Sequence, residues 1–134
     1  MGSTTDLARL LRTLSPLRQP GAYAFVVAPP ECDIAALQPI ATFREAEGTT
    51  LIVDEARARA AGLAVRYRAA WLTLSVQSDL HDVGLTAAVA AALADAGISC
   101  NVVAAVHHDH LFVPLEAADA ALAALSALQR RGGA

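Results

Sequence analysis

Four consecutive residues, His107, His108, Asp109 and His110, hold three of the chain's four histidines. Imidazole and carboxylate groups ligate metals and carry protons. Neighbours along a strand point to opposite faces, so only His108 and His110 can share one. A closed zinc site takes four ligands, and Cys32, Cys100 and His81 stand at no fixed spacing from this run. The run therefore reads as a polar hairpin turn rather than a metal site. A second constellation, SDLHDVGLT at 78–86, brings a polar loop to the start of an apolar helix. The first turn of a helix leaves backbone N–H groups unpaired. Those groups and the helix dipole favour an anion such as a carboxylate. Gly84 admits close approach of a ligand to the backbone, or is simply a turn glycine. Thr86 adds a hydroxyl, and Asp82 either holds an ammonium group or caps the helix. Arg44, Glu45 and Glu47 crowd a hairpin tip with no nucleophile beside them, the pattern of a solvated ion-paired turn. No GxSxG, HExxH or phosphate-binding glycine loop occurs. All ten basic residues are arginine, so Schiff-base and phosphate-loop lysines are excluded. The reading is a binding site without catalytic residues and without a cofactor.

These residues need elements to position them. Apolar periodicity predicts a first helix over 5–14, with Asp6 in its first turn and Ser15-Pro16 as its stop. Strands are expected at 22–28 and, around Ala46-Glu47-Gly48, at 40–45 and 49–53. A single helical turn fits 34–37. A helix over 54–61 has Asp54 and Glu55 at its positive end, Gly62 as C-cap, and Glu55 spaced to pair with Arg59. A long strand follows at 70–76, then a helix over 85–96 stopped by Gly97. Strands at 100–106 and 110–113 and a helix over 116–129 complete the order, with 132–134 a frayed tail.

The chain of 134 residues is long enough for one domain or two very small fused ones. It carries a net charge of −3, which gives no nucleic-acid footprint. The longest apolar run, 85–94, is well short of the roughly 20 residues that cross a membrane. The N-terminus has no signal-peptide pattern. Two cysteines without a CxxC spacing point to reduced thiols. A cytoplasmic protein is expected.

An internal echo is visible. TLIVDEARARAAGL from Thr50 parallels HLFVPLEAADAALAAL from His110, and AYAFVVA from Ala22 parallels AWLTLSV from Ala70. The chain reads as two degenerate copies of one unit, 1–68 and 69–134, the first having lost most of its first helix. Strands and helices alternate with antiparallel hairpins, so the fold class is α+β, a ferredoxin-like sandwich of βαββαβ-type halves.

The stretch GLTAAVAAALADAGISCNVVAAVHHDHLFVP, 84–114, resembles the ACT domain as it occurs in small bacterial proteins of two fused ACT-like halves. PIATFREAEGTTLIV, 39–53, resembles the matching segment of the first half, and the resemblance spans 10–128. The family is similar to the regulatory domains of lysine-sensitive aspartokinases and to eukaryotic arginine sensors. The resemblance implies a non-enzymatic module that binds an amino acid at a domain interface, forms a homodimer and controls a partner enzyme or regulator. It also implies a ligand contact at Asn101. The expected binding residues are Leu80, Asp82, Val83, Gly84, Leu85, Thr86, Asn101 and Val102. The alternative is an interaction domain that dimerises without a ligand.

Overall fold

The computed structural model describes residues 4–76 and 79–132. Ser78, the side chain of Asp6 and the tail at 133–134 lie outside the described residues. The chain forms two compact units that do not follow chain order: residues 20–69 make one, and residues 1–19 with 70–134 make the other.

In the 20–69 unit, β2 (Tyr23–Ala28) pairs antiparallel with β4 (Gly48–Asp54), and β3 (Ala41–Glu45) pairs with β4 on its other side. Strand period 2 puts Ala24, Val26 and Ala28 on one face of β2. They are buried with Leu37, Leu51, Val53 and Ala58, the last from helix α3 (Glu55–Ala60). Tyr23, Phe25 and Val27 take the opposite face. Asp54 caps α3 by accepting from the Arg57 N–H at 3.2 Å. Glu55 pairs with Arg59 at 2.9 Å, as its spacing predicts, and also with Arg68. Between β2 and β3 stands α2 (Ile34–Leu37), four residues capped by Asp33, which accepts from the Ala36 N–H.

Strand β5 (Tyr67–Leu74) starts three residues earlier than the sequence suggests, because residues 67–69 pair with β2. Its later residues belong to the other unit and pair with β1 (Pro16–Arg18). The sequence gives no hint of β1. Three residues reading PLR show no alternation, and the pairing with β5 makes them a strand. Helix α1 (Thr4–Arg12) ends two residues short of the expected limit, in a tight turn where Ser15 takes a positive φ of 43°.

Helix α4 (Leu85–Asp95) follows from alanine propensity and from Leu85, Val89 and Leu93, one buried stripe at i, i+4, i+8. Gly97 ends it in the left-handed region, with the Ile98 N–H donating to the Leu93 carbonyl at 2.9 Å. Strands β6 (Asn101–Ala104) and β7 (Asp109–Pro114) form the second hairpin, and β7 lies beside β5. A 3₁₀ turn (Leu115–Ala117) leads into α5 (Ala118–Gly132). Gly132 is helical rather than frayed. A Cβ there would lie 2.6 Å from Leu11 Cβ, so the glycine lets α5 approach α1. The core of this unit holds Leu10, Leu14, Leu72, Leu93, Leu111 and Leu125. Each fully buried leucine contributes about 1.5–3 kcal/mol. Each unit thus has helices packed on an antiparallel sheet, the α+β ferredoxin-like arrangement. Among the described residues no helix is long and apolar enough to cross a membrane.

Candidate functional site

The segment entering α4 is held by its own carboxylates. Asp82 accepts from the Asp79 N–H at 2.6 Å, and Asp79 accepts from the His81 N–H at 2.8 Å. The Asp82 N–H donates to the Asp79 carbonyl at 2.9 Å. Asp82 therefore closes a turn and does not cap the helix, which corrects one of its two sequence readings. The N-cap is Gly84, at φ 99° and ψ −21°, with no side-chain cap bond. Its own carbonyl accepts from the Ala88 N–H at 2.9 Å. Two features favour glycine here. Left-handed φ disfavours any side chain, and a Cβ would meet Leu7 Cδ2 at 3.1 Å.

Leu80, Asp82, Leu85 and Thr86 line one cleft together with Asp79, Ala104, Ala105 and Asp109. Its volume is about 40 Å³, which is room for a water-sized group. Asp109, which the sequence offered only as part of the histidine run, is its one buried charge. Burial pushes the Asp109 carboxyl above the ordinary carboxylate range, His110 pulls it back, Asp82 raises it further and His108 opposes. The cleft thus sets the start of α4, which has no side-chain cap, beside three carboxylates, Asp79, Asp82 and Asp109.

The remaining predicted residues lie elsewhere. Val83 is 70% exposed and, like Leu80 at the rim of the cleft, turns an apolar side chain to solvent. Val102 packs on the core. Asn101 is exposed at the far end of β6, opposite Phe112. Three residues separate it from Ala104, roughly 10 Å along a strand, so one chain does not bring Asn101 into the cleft.

The histidines divide as strand geometry requires. His110 faces β5, where Trp71 Nε1–H donates to its Nδ1 at 3.0 Å and Thr73 Oγ1 stands 3.2 Å away. The proton therefore sits on Nε2, and burial, then His108, holds the imidazole below its usual pKa against the pull of Asp109. Gln19 donates to Thr73 at 3.0 Å, which extends this structural network to the end of β1. His108 Nδ1 is buried and has no partner among the described residues. Among those residues no group of three His, Cys, Asp or Glu side chains is arranged to hold a metal ion. Cys32 and Cys100 are free, and burial pushes the Cys100 thiol up to about 11.

A Vibrio cholerae protein described as of unknown function and as a possible transport protein is 44% identical to this chain, with a TM-score of 0.84 over 95% of this chain and 99% of its own. An Agrobacterium tumefaciens protein shares the fold at 16% identity and a TM-score of 0.64, over 85% of this chain and 87% of its own. So does the regulatory subunit of aspartate kinase from Thermus thermophilus, at 14% identity and 0.63, over 87% of this chain and 97% of its own. No curated protein matches the chain. Two ACT-domain profiles match consecutive stretches, residues 3–70 and 66–127. The chain belongs to the ACT domain family.

Proposed function

We propose that this protein is a non-enzymatic regulatory module, working in the cytoplasm, that binds an amino acid at the N-terminus of α4. The observation that carries this reading is one juxtaposition. Leu85 and Thr86, at a helix start with no side-chain cap, line the same cleft as Asp82 and Asp109. N–H donors suit an α-carboxylate and the carboxylates suit an ammonium group. A cleft of about 40 Å³ does not enclose an amino acid side chain. In this reading a second copy completes the site as a homodimer, covering the ligand together with exposed Leu80 and Val83. Asn101 then contributes from the other copy. Occupancy shifts a pre-existing equilibrium of the dimer, and a partner enzyme or regulator reads it.

The test is a thermal-shift screen against the twenty amino acids. A ligand at 100 times its Kd adds about 2.7 kcal/mol, a rise of several degrees in Tm. Asp82→Ala is expected to weaken the response at least roughly tenfold, the scale of a lost charge-assisted hydrogen bond. The small cleft also supports a second reading, an interaction domain that dimerises with no ligand. A flat screen with a stable dimer in sedimentation selects it.

A further inference from the structure

One nitrogen of His110 gathers groups from β5 and from the end of β1. On β7 the residue stands opposite Val103 of β6 and faces β5. Trp71 Nε1–H donates to its Nδ1 at 3.0 Å, and Thr73 Oγ1 lies 3.2 Å from the same atom. Gln19 Nε2, just past β1, donates to that hydroxyl oxygen at 3.0 Å. The Trp71 ring lies over buried Phe112, with centroids 6.3 Å apart and planes at 21°, and tilts at 49° to the His110 ring. A neutral imidazole protonated on Nε2 offers a lone pair at Nδ1, whereas an imidazolium carries a hydrogen there. Protonation therefore sets two donors against each other, Trp71 Nε1–H and His110 Nδ1–H, while the Thr73 oxygen can still accept.

We propose that His110 is a pH-operated latch on the sheet: the neutral ring holds the Trp71 indole through Nδ1, and the imidazolium lets Trp71 go and donates from Nδ1 to Thr73. The neighbouring strands face the ring with uncharged groups, Trp71 and Thr73 from β5, Val103 from β6, and Leu17 of β1 in register with Thr73. The titratable groups around it belong to β7 itself and the turn before it. Burial disfavours the imidazolium most, His108 on the same face disfavours it too, and Asp109 on the other face favours it. The proton thus arrives below the ordinary histidine value of 6.5. Between those two values the unfolded chain binds more protons than the folded one. The contribution of the latch to stability is therefore complete above 6.5 and is lost as pH falls through the folded value. Asp109 reaches the α4 cleft from the far side of β7, so the latch acts on the strand that carries the buried carboxylate of that cleft, occupied or empty.

The experiment is an NMR titration of the full-length protein from about pH 8 to about pH 5, the range in which histidine changes charge. Trp71 is the only tryptophan, so a single indole N–H resonance reports on the latch. That resonance is expected to move upfield with a midpoint below 6.5, in step with the ring protons of His110. Trp71→Phe should raise the His110 midpoint by roughly 0.5–1 pH unit, the scale of one hydrogen bond lost from the neutral form. Thr73→Val should lower it, because the imidazolium loses its acceptor. In His110→Gln the indole resonance should hold still over the same range. An indole resonance that ignores the titration of His110 in the unaltered protein overturns the inference, whatever the variants do. So does an indole shift that persists in His110→Gln, or a His110 midpoint at or above 6.5.

Discussion

Gly84 and Asp109 show how much one atom can decide. At Gly84 the missing Cβ serves both the left-handed turn and the contact with Leu7. Gly84→Ala is expected to cost about 1–3 kcal/mol, measured by denaturant unfolding, whether or not a ligand is bound. This substitution therefore does not by itself report on binding, and Asp82→Ala is read against its own ligand-free Tm, because Asp82 also closes the turn at Asp79. Asp109 carries the opposite burden, a carboxylate whose ionised form is disfavoured by burial and by Asp82. Its folded pKa lies above the unfolded one, so the folded protein holds the extra proton and stability falls as pH rises through the folded value. Asp109→Asn is expected to raise Tm at neutral pH and to flatten that descent. Loop, glycine and helix start were legible from residue types alone. The weight of Asp109 was not, because an acid inside HHDH looks like turn chemistry until the register places it opposite Ala104.

Elements with a strong internal period were the ones the sequence disclosed. Helix α4 could be read from its alanines and buried stripe, and α3 from Asp54, Glu55 and Arg59. The ion pairs of α3 have a measurable consequence. Hydrogen bonding to Arg68 holds the Glu55 carboxyl down at about 2, against an ordinary 4.5. A depressed carboxylate pKa stabilises the fold above the unfolded value, and that contribution drains away as pH falls from about 4.5 towards 2. Glu55→Gln is expected to shrink the acid limb of a Tm-against-pH profile over that window and to lower Tm at neutral pH. Strand β1 stayed hidden for the opposite reason. Its identity comes from Leu72, Thr73 and Leu74, more than fifty positions away, and no local pattern encodes a partner.

At the scale of the whole molecule, the repeat leads to an expectation of two halves in chain order, 1–68 and 69–134, and the two ACT-domain profiles match residues 3–70 and 66–127. Packing groups the chain differently, since Leu10 and Leu14 lie in one core with Leu72, Leu111 and Leu125. Deleting residues 1–19 is therefore expected to unfold the 70–132 region, seen as loss of dispersed amide signals there. The Gln129 side chain shows how distant the joined ends are. It accepts from the Ser15 N–H at 3.0 Å and donates to the Arg12 carbonyl at 2.9 Å, across more than a hundred residues. A ribosome releases the chain from the other direction. The first helix leaves the exit tunnel with an apolar stripe and no partner, and it stays so while the 20–69 unit completes itself. Strand β5 then offers β1 its partner, and α5, the last element, completes the packing of α1. Contacts that join the first helix to the last span nearly the whole chain, so the protein is expected to fold more slowly than its length alone suggests.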